Sequence, residues 1–216
     1  MKRYLPFAIV ALVALATFGS GFAFYRAKRA ELGSGPTSGV ASGIHVRGNA
    51  QAAVTIEEFG DFQCPPCGVM AGHLRKMEEE YGSRLRLIFH HFPLAMHIHA
   101  REAALAAEAA EEQGHFWQMH DLLYKEQAGW SKAQNVSDLF NSYATAIGID
   151  LDRFDKDLQN PDVVARVDTD QKLGASRGVT STPTLFVNNV ALPPNATNPA
   201  GVKKAIETAL EKKTKP

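Results

Sequence analysis

The chain has 216 residues, with a hydrophobic fraction of 45% and a charged fraction of 21%, values of a globular domain with some length to spare rather than of a disordered chain. Its formal net charge is zero, yet the first 29 residues hold five basic residues and no acid, leaving 18 basic against 23 acidic residues in the remainder. A mildly acidic domain lacks the electrostatic footprint of a nucleic-acid binder, and two cysteines three positions apart are too few for a disulfide framework or a structural zinc site.

From Tyr4 to Tyr25 no residue is charged, and ~20 apolar residues suffice to cross a bilayer as a helix. Lys2 and Arg3 precede the run, as in an N-terminal anchor or a signal sequence. Cleavage is the rival reading: Ala14-Leu15-Ala16 has small residues at a peptidase's spacing, but it lies inside the apolar run. Residues 1–26 are thus expected to be a signal or transmembrane anchor. Residues 27–43 read as a flexible linker, rich in Gly and Ser, and residues 44–213 as the folded domain. Basic residues on both sides of the run leave its orientation open.

Within the domain, Ala52 to Phe59 is short and β-branched at its centre, a strand ending at Gly60. Pro65-Pro66 opens a helix that runs to Tyr81. Leu85 to Phe92 alternates apolar with basic residues and predicts a second strand. An Ala- and Glu-rich helix follows from about His99 to Gln113, then helices near 116–127, 136–147 and 151–159. Asn160 caps a further helix, with Pro161 in its first position, running towards Arg177. Thr184 to Val187 is a third strand, Asn188-Asn189 a turn into Val190-Ala191-Leu192, and a last helix covers about 199–212. The fold class is α/β with a helical insertion at about 94–176.

Cys64-Pro65-Pro66-Cys67 lies between the first strand and a helix. A sulfur at a helix N-terminus meets the positive end of the dipole, which favours the reactive thiolate. Cys64 is the expected nucleophile, and Cys67, one turn in, the thiol that resolves the mixed disulfide. Such a pair behind a membrane-targeting segment suits the oxidising, extracytoplasmic side.

The blocks EEFGDFQCPPC (57–67), FPLAMHIHA (92–100), EQGHFWQMHDLLY (112–124) and GVTSTPTLFVNN (178–189) together resemble the DsbA family of thioredoxin-fold proteins, in its membrane-anchored or secreted bacterial form. The resemblance implies a thioredoxin fold with an inserted helical domain, here preceded by the N-terminal helix, and a thiol–disulfide oxidoreductase with no cofactor. Its partners would be cysteine-containing extracytoplasmic proteins and a redox partner that resets the pair. It also implies a cis Thr182-Pro183 bond against the redox pair, with the Thr182 backbone binding an extended substrate. Glu58 stands where the family often buries an acid beneath the cysteines, which would pass a proton to or from Cys67. Strand alternation puts Glu57 and Glu58 on opposite faces without saying which faces the pair. The family's strong oxidants enclose Pro-His, whereas Pro66 here offers neither an imidazole nor an N–H. The alternative from another class is a copper-binding assembly protein, with both thiolates and a nearby histidine as soft ligands. His90, His91, His97 and His99 cluster around Pro93, and His97 and His99, near a helix start, are candidates to approach a metal or a substrate carboxylate, though surface or capping positions are the plainer expectation. Phe116, Trp117 and Met119 read as packing of the inserted helices rather than a recognition patch.

Overall fold

The computed structural model describes residues 45–214. Its strands are β1 (His45–Gly48), β2 (Val54–Gly60), β3 (Leu85–His91), β4 (Thr184–Val187) and β5 (Val190–Ala191). They form one sheet in the order β1-β3-β2-β4-β5. β2 and β3 are parallel and the other pairs antiparallel. A parallel pair needs a crossover, which helix α1 (Pro65–Tyr81) supplies. Asn188 and Asn189, at φ 48° and 65°, make the tight β4–β5 turn, a left-handed conformation that asparagine tolerates.

Six helices lie between β3 and β4: α2 (Ala100–Glu111), α3 (Phe116–Lys125), α4 (Gln127–Trp130), α5 (Ser137–Ala146), α6 (Leu151–Asp157) and α7 (Pro161–Ser176). Helix α8 (Pro199–Thr214) ends the described chain. This is the thioredoxin fold with a helical insertion. Local chemistry sets several boundaries. Asp150 caps α6 by accepting from the Arg153 N–H, and Asn160 caps α7 by accepting from the Asp162 N–H. Helix α2 is buried on most sides by alanines, Ala103, Ala104, Ala106, Ala107, Ala109 and Ala110, whose small side chains let neighbouring helices approach closely.

The sheet is covered on both faces. Val54 and Ile56 of β2, with Leu85, Leu87, Leu185 and Val187, pack against Met70, Leu74 and Met77 of α1 and Val202 and Ile206 of α8. Phe59 and Phe186 form a smaller cluster with Phe92 and Val179 on the opposite face. A third cluster joins Phe62 and Phe89 to Phe116, Met119, Leu123, Trp130, Phe140 and Phe154, and it contains both cysteines. Phe116 and Met119 are core, as expected, while Trp117 is half-buried with its ring under Arg47.

The expected strands and helices occur within a few residues of their predicted ends. β1 and the one-turn α4 are additions. The expected anchor at 1–26 and linker at 27–43 lie outside the described residues. Among the described residues no helix is long and apolar enough to cross a membrane.

Candidate active site

β2 delivers the chain to Gly60, where any side chain would meet the Phe89 ring, the ideal Cβ lying 2.5 Å from it. Residues 61–63 turn into α1, with Cys64 as N-cap, Pro65 and Pro66 at the first two helical positions and Cys67 third. Neither proline carries an N–H, so the first helical N–H near Cys64 belongs to Cys67, and the Cys64 carbonyl accepts from Cys67 and Gly68 at 3.0 and 3.3 Å. Both cysteines are free thiols. Cys64 retains 5% of its surface in solvent and Cys67 none. Thr182-Pro183 is a cis bond. The loop places the Thr182 carbonyl 3.4 Å from the Cys64 sulfur, which donates to it.

The two sulfurs differ sharply in electrostatics. The Cys67 thiol, hydrogen-bonded to Cys64, is the main influence that brings the Cys64 pKa down to about 6; burial opposes it, and the Cys67 backbone N–H assists. Cys67 moves the other way. Burial pushes its pKa up, helped by the hydrogen it shares with Cys64 and by the Glu58 charge.

Glu58 and Glu57 occupy opposite faces of β2 and have opposite chemistry. Glu58 is fully buried with no hydrogen-bond partner for either oxygen. Burial, then the charge of Cys64, pushes its pKa up to about 8. Glu57 points to the other face, where Arg177 reaches it at 2.6 Å and His90 at 3.6 Å. His90 above all, and Arg177, hold its carboxyl down at about 2 against the cost of burial. His90 also meets Asp170 at 2.9 Å. Burial works against the imidazolium, but Asp170 and Glu57 outweigh it and raise the pKa of His90 to about 9.

Several residues that brace the Cys64 loop have no role expected from the sequence. Asp61, buried beneath the turn, accepts from the Gln63 N–H at 2.7 Å, from the Leu94 N–H at 2.9 Å and from His97 Nδ1 at 2.7 Å. Gln63 accepts from the His99 N–H at 2.7 Å and donates to the Ser131 carbonyl at 2.9 Å. Gln127, from α4, donates to the carbonyls of Phe62 and Cys64 at 2.6 and 2.9 Å. Asp61 and Gln63 sit inside the 57–67 block that carries the resemblance, which is their signal in the sequence; for Gln127 no local pattern exists.

Of the histidines around Pro93, His99 takes a capping position, as the N-cap residue of α2, while His90 and His91 depart from the surface expectation. His90, His91 and His99 are buried, and each imidazole lies beside a carboxylate: Asp170, Glu108 and Glu102 respectively. Basic–acidic pairing offsets the desolvation that would otherwise keep them outside. Among the described residues one group of three places ligand-type atoms within 4.8 Å of one another, His45, His91 and Glu108. It contains neither cysteine. Arg166 already bonds the second oxygen of Glu108 at 2.5 Å, so the buried carboxylate has its countercharge without an ion.

Strand, turn and helix thus bring together the CxxC pair, the cis-proline loop and the buried Glu58. A family described as thioredoxin matches residues 41–208, and the chain belongs to that family, in its DsbA-like branch. BdbD from Bacillus subtilis, in its oxidised crystal form, is 25% identical, with a TM-score of 0.70, covering 80% of this chain and 95% of that one. DsbA2 from Pseudomonas aeruginosa is 25% identical, with a TM-score of 0.64, covering 79% and 96%. In sequence, the chain is 42% identical over 145 residues to a Na(+)/H(+) antiporter, NhaA 3, from Salinispora tropica. That match covers 67% of this chain but 21% of the antiporter; the chain spans about a fifth of the length of the curated relatives it matches.

Proposed function

We propose that this protein is a thiol–disulfide oxidoreductase that exchanges disulfides with cysteine-containing extracytoplasmic proteins through Cys64 and Cys67. The observation that carries the reading is the contrast between the two thiols. Cys64, at the helix N-terminus and in slight contact with solvent, has its pKa lowered, first by the Cys67 thiol, and Cys67 is sealed beneath it with its pKa raised by burial. A nucleophile and good leaving group at the surface, and a poor one below, is what directional exchange requires.

In the oxidising direction, a substrate thiolate attacks the Cys64 sulfur of the Cys64–Cys67 disulfide. The S–S electron pair leaves on Cys67, and protonated Glu58 supplies the proton that this buried sulfur needs. A second substrate thiolate then attacks the substrate sulfur of the mixed disulfide and releases Cys64 as thiolate. Substrate is oxidised by two electrons and the protein holds the dithiol, so a separate redox partner must reset the pair. Thr182, whose carbonyl lies beside Cys64, is positioned to pair with the backbone of an extended substrate, with Pro183 shaping the loop. Val69, Met96 and Ile98, 63%, 78% and 76% exposed, offer apolar contacts to unfolded chains.

The apolar run at 4–25, with Lys2 and Arg3 before it, supports an anchored protein with residues 44–213 on the extracytoplasmic face, or a secreted one if the segment is cleaved. The protein reading needs no metal, and the copper alternative gains no third ligand at the sulfurs among the described residues.

Trapping tests the reading. Cys67→Ser, mixed with a disulfide-bonded substrate protein, should accumulate mixed disulfides through Cys64 on non-reducing gels. Accumulation with Cys64→Ser instead would reverse the roles, and none with either would remove the activity.

A further inference from the structure

Asp61 presents a problem for the nucleophile that the proposed chemistry leaves unsolved. It lies three residues before Cys64, its carboxylate has no contact with solvent, and its backbone carbonyl accepts from the Cys64 N–H at 3.1 Å. The Cys67 thiol is the largest influence favouring the Cys64 thiolate, but the Asp61 charge acts against it. Fixed negative charge beside a thiolate, in a site with little water to screen it, is costly. Among the described residues, the ion pair of Asp61 is with neither lysine nor arginine but with His97, at 2.7 Å through Nδ1.

The loop carrying His97 is sewn to the residues leading into Cys64. Leu94 N–H bonds Asp61, and His99 N–H bonds Gln63. His97 points inward to Asp61 while its neighbours Met96 and Ile98 point out to solvent. Its own ring keeps 21% of its side-chain surface in solvent. A loop whose only task was to close the turn could satisfy Asp61 with backbone N–H groups, as Gln63 and Leu94 already do. An imidazole adds a ring N–H donor, and positive charge when it is protonated.

We propose that His97 is a positioning residue for the thiol–disulfide reaction, compensating the charge of Asp61 so that Cys64 can act as thiolate. The inference rests on the exchange activity proposed above and deepens it. Its consequence is that the reduced protein owes part of its thiolate stabilisation to a side chain outside the CxxC motif, on the loop between β3 and α2.

The test is a thermodynamic cycle on the full chain, read by glutathione equilibrium and by the ultraviolet titration of the Cys64 thiolate. His97→Ala should shift the equilibrium about tenfold towards the Cys64–Cys67 disulfide, which corresponds to ~30 mV more reducing, and should move thiolate formation to higher pH. Asp61→Asn should shift both the opposite way. In the Asp61→Asn background, His97→Ala should have little further effect. A His97→Ala protein whose potential and thiolate titration match wild type overturns the proposal, as does an undiminished His97 effect in the double variant. If Asp61→Asn does not fold, the His97→Ala titration alone decides. A wild-type protein that forms no redox couple with glutathione would instead defeat the exchange activity itself, so the two failures are distinguishable.

Discussion

Glu58 shows how a single side chain couples stability to chemistry. Both oxygens lack partners in a fully buried site, and burial above all raises the folded pKa from 4.5 to about 8. The folded state therefore binds a proton more tightly than the unfolded chain, and stability falls as pH rises from 4.5 towards 8. Glu58→Gln should remove that slope and stabilise the reduced protein by about 3 kcal/mol at pH 7, seen as a higher denaturation midpoint. Losing the acid should also slow disulfide exchange on the order of 10²-fold, measured by stopped flow. A variant as fast as wild type, or no more stable at neutral pH, contradicts the proton role. The resemblance pointed to Glu58, but strand alternation alone could not separate it from Glu57, because alternation identifies a buried face only when the other face is wet. β2 lies between β3 and β4 with both faces covered, so Glu57 and Glu58 are both inside. What separates them is Arg177 and His90, 120 and 33 positions away, which take Glu57. The CxxC pair stood out because it is a compact motif with its own local chemistry, whereas the cis Thr182-Pro183 bond was expected only through the resemblance.

At the scale of elements, the N-terminus of α1 governs the redox pair. Pro65 and Pro66 start the helix readily, since a first-turn N–H has no intrahelical partner to lose. The consequence is a helix whose first N–H near the sulfur is that of Cys67. Pro66→His restores a backbone N–H and adds an imidazole. One or two charge-assisted contacts, each contributing ~1.5–3 kcal/mol, should make the couple ~30–130 mV more oxidising and drop the Cys64 pKa below about 6. An unchanged potential in Pro66→His would mean that these donors do not reach the sulfur. Most elements were readable from capping residues and apolar spacing, as with Asn160-Pro161 before α7. β1 was not: His45-Val46-Arg47-Gly48 offers one aliphatic residue, and it is a strand because it pairs with β3 and because Arg47 lies over Trp117 and bonds Asp121. α4 is one turn long, too short for any period, yet it supplies Gln127 to the redox loop.

For the whole molecule, the cysteines belong to the same buried cluster as the inserted helices, so the insertion forms part of the floor of the site rather than a separate appendage. That cooperation was outside the reach of local pattern, since it depends on which helix faces the α1 N-terminus. The apolar run at 4–25 makes a separate demand: full-length protein should stay with membranes through a high-salt wash, because salt screens charge and leaves hydrophobic insertion intact. Recovery of a shorter soluble form would mean that the segment is cleaved. In the proposed chemistry Cys64 and Cys67 form a working couple, with a thiolate stabilised mainly by Cys67 and the helix rather than by an intervening histidine. The reduction potential, from equilibration with reduced and oxidised glutathione, tests it most directly. The expected result is a reversible two-electron couple between about −180 and −270 mV, the span from disulfide isomerase to thioredoxin. A potential near about −120 mV, or no disulfide forming between the two cysteines, would contradict it.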